Sequence, residues 1–189
     1  MLKIDFTYTG GVPGSRGLPR RRYNALRKLA LEAVGHFWHE HYRALHFTAE
    51  GAKKYGYAPR SGHGRSGKKF WQSYTGRKLK AKHHRRPLVW SGKSEELSKR
   101  RTFAITSKRD LAILRIKIPA PALNFKNPHS DIDMRKEMET VTADEMAAMS
   151  KVYVERLAEL IHEETAVVRV GFGGGSVAGE IAGGLAMGT

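Results

Sequence analysis

Leu2, Ile4, Phe6 and Tyr8 alternate with Lys3, Asp5 and Thr7, the period-2 pattern of a strand with one buried face. Thr9-Gly-Gly-Val-Pro-Gly14 then breaks it. From about Pro19 to His46 the period changes. Tyr23, Leu26, Ala30, Ala33, Val34, Phe37, Trp38, His41 and Leu45 recur every three or four residues, which predicts one stripe of a long helix over about 20–45. Arg20, Arg21, Arg22, Arg27 and Lys28 fall mostly off that stripe and are expected on a solvated face. A short helix is predicted near Phe70 to Lys82. Thr102–Thr106 and Leu111–Ile118 read as two strands of a hairpin joined by Ser107-Lys-Arg-Asp110, the second ending at Pro119 and Pro121. Thr142-Ala-Asp-Glu145 has the S/T-x-x-E form of a capping box. Behind it Met146, Met149, Val152, Tyr153, Leu157, Leu160 and Ile161 continue a helical stripe to about 163. Val167-Val-Arg-Val170 reads as a short strand.

These periods predict an α+β fold, a small antiparallel sheet packed by a long N-terminal helix and a C-terminal helix. An extended basic arm and a glycine-rich tail complete the chain. Its 189 residues suit a single domain (1–189), with residues 47–94 as a basic insertion and 171–189 as the tail. Eight of the last 19 residues are glycine. Gly175, Gly179 and Gly183 are spaced by four, as are Gly184 and Gly188, a spacing that lets two backbones approach closely; a flexible tail is the alternative.

Charge changes the picture more than hydropathy does. The formal net charge is +16, and between Gly51 and Ser94 stand thirteen Lys or Arg and no Asp or Glu. Tyr55, Tyr57, Phe70, Trp71, Tyr74 and Trp90 are interleaved with them. Like charges repel, and scattered apolar groups do not offset the entropy of ordering such a stretch, so it is expected to project and to become ordered against another molecule. Lys53, Lys54, Arg60, Arg65, Lys68, Lys69, Phe70, Trp71, Arg77, Lys78, Arg85, Arg86 and Trp90 are the candidate interface residues. Residues 127–165 reverse the balance, with ten acids against four bases. A second copy of the chain would bring that strip to every interface. Protein carboxylates are therefore the expected partner of the arm, with nucleic-acid phosphates the alternative.

Little in the chain points to catalysis. There is no cysteine, which removes disulfides, thiolate metal sites and cysteine nucleophiles. No Gly-x-Ser-x-Gly elbow or P-loop occurs, and no cofactor or small-molecule substrate is expected. His36 and Glu40 lie one helical turn apart beside His39 and His41, a spacing that can chelate zinc if His83, His84 or His129 approached. Aromatic-rich helix packing with polar histidine edges explains the same residues. Asp131, Asp133, Glu137 and Glu139 alternate as one edge of an extended segment would, a solvated or partner-facing strip, with paired acid–base work the alternative. The opening residues lack the apolar run of a secretory leader, and no window reaches the roughly 20 apolar residues of a membrane span. A soluble protein made in the cytoplasm, with no membrane contact, is expected.

Three phrases carry a resemblance. They are Pro87-Leu-Val-Trp-Ser-Gly92, His46-Phe-Thr-Ala-Glu-Gly-Ala-Lys-Lys-Tyr-Gly-Tyr-Ala-Pro-Arg60, and Met134-Arg-Lys-Glu-Met138 with Val141-Thr-Ala-Asp-Glu145. Together with the order of elements over about residues 20–165, they resemble the small virion proteins of tailed bacteriophages: minor tail, tail-completion and head–tail joining (neck) proteins. The resemblance implies a non-enzymatic structural protein in the virion, part of a ring built through homo-oligomeric contacts and contacts with neighbouring neck or tail proteins. It carries over no catalytic residue. The alternatives are a basic nucleic-acid-binding module working through 51–94, and a metal-dependent nuclease built on the histidines.

Overall fold

The computed structural model describes residues 2–9, 18–62, 66–89, 91–108, 111–119, 121–124, 126 and 132–172. β1 (Leu2–Thr9), β2 (Thr102–Lys108) and β3 (Leu111–Ile118) form an antiparallel sheet in the order β1-β3-β2. The register sets Leu2, Ile4, Phe6 and Tyr8 opposite Ile118, Ile116, Leu114 and Ala112. On the other edge Phe103 and Ile105 face Ile116 and Leu114. Every second residue of β3 is buried and those between are half-buried, so the predicted period sets the inward face.

α1 (Arg20–His41) and α7 (Ala143–Phe172) pack on each other, and α1 lies along β2 and β3. Leu26, Ala30, Leu31, Val34 and Trp38 of α1 meet Met149, Tyr153, Leu157, Leu160 and Ile161 of α7 in one core with the inward row of β3. A small antiparallel sheet packed by a long N-terminal helix and a C-terminal helix in one core is the architecture expected, with α1 lying on the sheet and α7 on α1. A close approach requires Gly35: a Cβ there would stand 2.7 Å from the Phe103 ring. The capping box also forms. Thr142 N–H donates to Glu145 Oε2 at 3.2 Å, and Glu145 N–H to Thr142 Oγ1 at 3.4 Å.

Four expectations are corrected. Arg27 is fully buried rather than solvated: its Nε donates to the Tyr153 hydroxyl at 3.2 Å and its guanidinium lies over the Tyr23 ring, linking α1 to α7. Val167–Val170 is helical, because α7 continues through it to Phe172 and each added residue gains a backbone hydrogen bond that outweighs a weak local β preference. The segment around Glu137 is a helix, not an extended edge. Asp133 caps α6 (Met134–Glu139) by accepting from Lys136 N–H at 3.0 Å, and Met138 is buried beneath it. The single helix expected near 70–82 is two, α3 (Gly67–Gln72) and α4 (Tyr74–Lys82), parted at Ser73. Asp131, His129 and the glycine spacing from Gly175 onward lie outside the described residues.

Two leucines of α1 test this packing. Leu31 is fully buried and Leu29 is half exposed. Leu31→Ala is expected to cost about 2–5 kcal/mol in urea unfolding, and Leu29→Ala to stay within about 0.5 kcal/mol of the parent.

Candidate interface on the basic segment

The basic segment is folded at both ends onto the body, and the reasons are local. Thr48 caps α2 (Ala49–Lys54), its hydroxyl accepting from Gly51 N–H at 3.0 Å. This delivers Lys54 and Tyr55 to α7. Lys54 Nζ lies 2.6 Å and Tyr55 Oη 2.7 Å from Oε1 of Glu145, a side chain 1% exposed. Tyr55 stacks flat on the His46 ring at 4.0 Å, and His46 Nδ1 lies 2.6 Å from the Tyr57 hydroxyl. Burial pushes the Tyr57 and Tyr55 hydroxyls up, the latter helped by its hydrogen bond to Glu145, so both stay protonated. A few residues on, Arg60 grips the buried Glu137 of α6 with both guanidinium nitrogens, one at 2.8 Å, and Ala58 N–H adds a third donor at 3.2 Å. At the far end Leu88 and Val89 enter the main core, and Arg86 pairs with Glu95 at 2.6 Å.

Between these anchors α3 and α4 pack chiefly on each other. Ser73 caps α4, accepting from Gly76 N–H at 3.2 Å. A Cβ at Gly76 would fall 2.1 Å from the Phe70 carbonyl oxygen, so the tight helix pair needs glycine there. Thr75 N–H donates to the Ser61 carbonyl at 3.0 Å, tying the pair back to the preceding loop. The segment thus projects, as expected, only in its middle. The expectation that it orders solely against another molecule fails, because two carboxylates of its own chain and its own aromatic rings hold it.

Grooves of about 1130 and 1370 Å³ flank α4. The first is enclosed by α2, the loop 56–62, α3, α4 and residues 85–88, and it brings together Lys53, Arg60, Phe70, Trp71, Lys78, Arg85 and Arg86. The second takes Lys69, Arg77 and Lys93. None of the described residues lining either groove is an Asp or Glu. Lys68 is exposed on α3, Lys54 is committed to Glu145, and Arg65 and Trp90 lie outside the described residues. Lys78 is 4% exposed; its ammonium donates to the Arg86 carbonyl, and burial together with Arg60 and Arg86 pushes its pKa down to about 8. Among the described residues Lys53, Lys68, Lys69, Arg77, Lys80, Lys82, Arg85 and Lys93 make no ion pair.

Most of the described glutamates of the acidic strip pair within the chain, whereas Asp144 makes no ion pair among the described residues. Besides Glu137 and Glu145, Glu164 pairs with Arg22, Glu139 with Arg135, Glu155 with Lys151, and Glu159 and Glu163 with Arg156. The histidines of α1 are not gathered for a metal. Arg101 occupies the space between His36 and Glu40, at 3.1 Å from one and 3.2 Å from the other. His39 turns into the core against Phe103 and Trp38, and no group of three potential ligands occurs among the described residues. Sequence reasoning missed Glu137, Glu145, His46 and Tyr55 as the anchors of the segment. The capping box had already named Glu145, but nothing in the periodicity reveals that its second oxygen reaches Lys54 and Tyr55.

No family model, curated protein or solved structure matches the chain at a significant level. Among the described residues no helix is long and apolar enough to cross a membrane.

His46 gives this anchor a pH dependence. Burial pushes its pKa down from 6.5 to about 4, so the native state holds it neutral where the unfolded chain binds a proton. Its contribution is therefore fully present above pH 6.5 and is lost as pH falls to 4. The loss is up to about 3 kcal/mol, and His46→Gln is expected to flatten that limb of the stability–pH curve measured by urea unfolding.

Proposed function

We propose that this protein is a structural virion protein of a tailed bacteriophage, working in the neck or tail as part of a connector or tail-completion ring. The observation that carries the reading is the division of the molecule. A body built from the sheet, α1 and α7 holds out a separately packed helix pair, α3 and α4, whose cations make no ion pair among the described residues. Such a pair suits a repeated contact in which each subunit reaches a neighbour. Its charges would set register and encounter rate, since exposed pairs contribute roughly 0–1 kcal/mol each. Exposed Trp71 would supply an anchor that charges alone do not.

The body needs no part of 66–82 for its core, so α3 and α4 can be removed without unfolding it. Replacing 66–82 by a short Gly-Ser linker is expected to leave the far-UV spectrum and a cooperative melt in place. The parent should sediment as a defined oligomer, or join purified neighbouring virion proteins, and should be found in purified virions at fixed copy number; the deletion should abolish the association. A parent that stays monomeric, binds no virion protein and is absent from particles would overturn the assignment.

A further inference from the structure

The outer side of α7 is a second charged surface, opposite in sign to the α3–α4 pair. α7 packs into the core through Met149, Tyr153, Leu157, Leu160 and Ile161, which leaves its far side to solvent. Asp144, Glu155, Glu159 and Glu163 lie on that side, and the three glutamates are each more than half exposed. Their cations are fewer. Asp144 makes no ion pair among the described residues, Glu159 and Glu163 share Arg156 at 2.8 and 3.9 Å, and Glu155 has Lys151 at 3.8 Å. Four carboxylates against these two cations leave the face with a net charge of −2 (two bases minus four acids). Ala147 and Ala158 are also exposed, three residues beyond Asp144 and Glu155 on the same side, so the ground between the charges is shallow.

The α3–α4 pair is its complement. Residues 66–82 hold no Asp or Glu, and Lys68, Lys69, Arg77, Lys80 and Lys82 are exposed there without an ion pair among the described residues. Trp71, 52% exposed, stands among them, and alanines on the opposing face admit an indole that bulkier side chains would exclude. Two unlike patches of one chain meet in a heterologous, head-to-tail contact, the kind that builds a ring when its rotation closes. We propose, resting on the ring assembly just described, that the α3–α4 pair of each subunit docks on the outer face of α7 of the next copy. Lys68, Lys69 and Arg77 then face Glu155, Glu159 and Glu163, and Trp71 packs between the charges. A copy of the chain brings one acidic face for every basic pair, which a nucleic-acid strand does not. The charges set direction and register, and salt screens them.

The test is charge-swap complementation on the full chain, read by sedimentation velocity at low salt. One variant carries Lys68→Glu, Lys69→Glu and Arg77→Glu, and the other carries Glu155→Lys, Glu159→Lys and Glu163→Lys. All six side chains are exposed, so both variants should keep the far-UV spectrum and cooperative melt of the parent. Each variant alone sets like charges against each other and should lose at least about 10-fold in association. Mixed one to one, the two should assemble as the parent does, because every acidic pair then meets a basic face and every basic pair an acidic one. A parent that associates while neither variant weakens it, or a mixture as dissociated as its parts, overturns this contact and leaves the ring assignment standing. Association of the parent that nuclease treatment abolishes gives the basic pair to nucleic acid and overturns the contact too. A parent that is monomeric throughout also overturns it, and the ring assignment is then decided separately by the copy number of the protein in purified virions.

Discussion

Two buried carboxylates, Glu145 on α7 and Glu137 on α6, set the arrangement of everything around the basic segment. A carboxylate withdrawn from water needs a cation and hydrogen-bond donors, or it costs several kcal/mol. The body supplies few. Lys54, Tyr55, Arg60 and the Ala58 N–H come from the segment between Thr48 and Ser61, so closing the core requires that stretch to dock. The strong positive charge there is thus partly a structural requirement of the fold. What remains after these two sites are satisfied is the surplus that the α3–α4 pair carries outward.

That division gives the surplus its character. Cations that dock are bonded and shielded, as is Lys78 on the Arg86 carbonyl, whereas Lys53 and Arg85 stand around a groove with no carboxylate among its described lining. The neighbouring aromatic rings follow the same split. Tyr55 and Tyr57 are spent on His46 and the body, while Trp71 is exposed and the Tyr74 ring carries the Lys78 ammonium at 5.8 Å.

The fold was largely legible, and the site was not. The period-2 row of β3 and the stripes of α1 and α7 each see one buried face, so their hydrophobic spacing contained the answer. The errors arose where a few local bonds override composition. Asp133 starts a helix in a segment whose alternating acids mimic a strand, and Arg27 is buried because Tyr153, distant in sequence, receives its Nε. Composition also suggested that an acid-free stretch of 44 residues could not order itself. Its counterions lie some 77 to 91 residues away in sequence, beyond any local pattern. The list of candidate interface residues therefore mixed two populations: Lys54, Arg60, Lys78 and Arg86, which hold the segment down, and Lys53, Lys68, Lys69, Arg77 and Arg85, which make no ion pair among the described residues.

Amide hydrogen exchange on the isolated protein tests most directly whether the chain's own carboxylates and rings fold the basic segment. The N–H groups of Tyr55, Thr75 and Arg77 are bonded to the carbonyls of Gly51, Ser61 and Ser73 at 2.8, 3.0 and 3.0 Å. They are expected to exchange at least about 10-fold more slowly than an unstructured chain, without any partner present. Exchange of every amide from Ala49 to Val89 at the unstructured rate, with α1 and α7 still protected, would contradict the account and leave the segment a tail that folds only on binding.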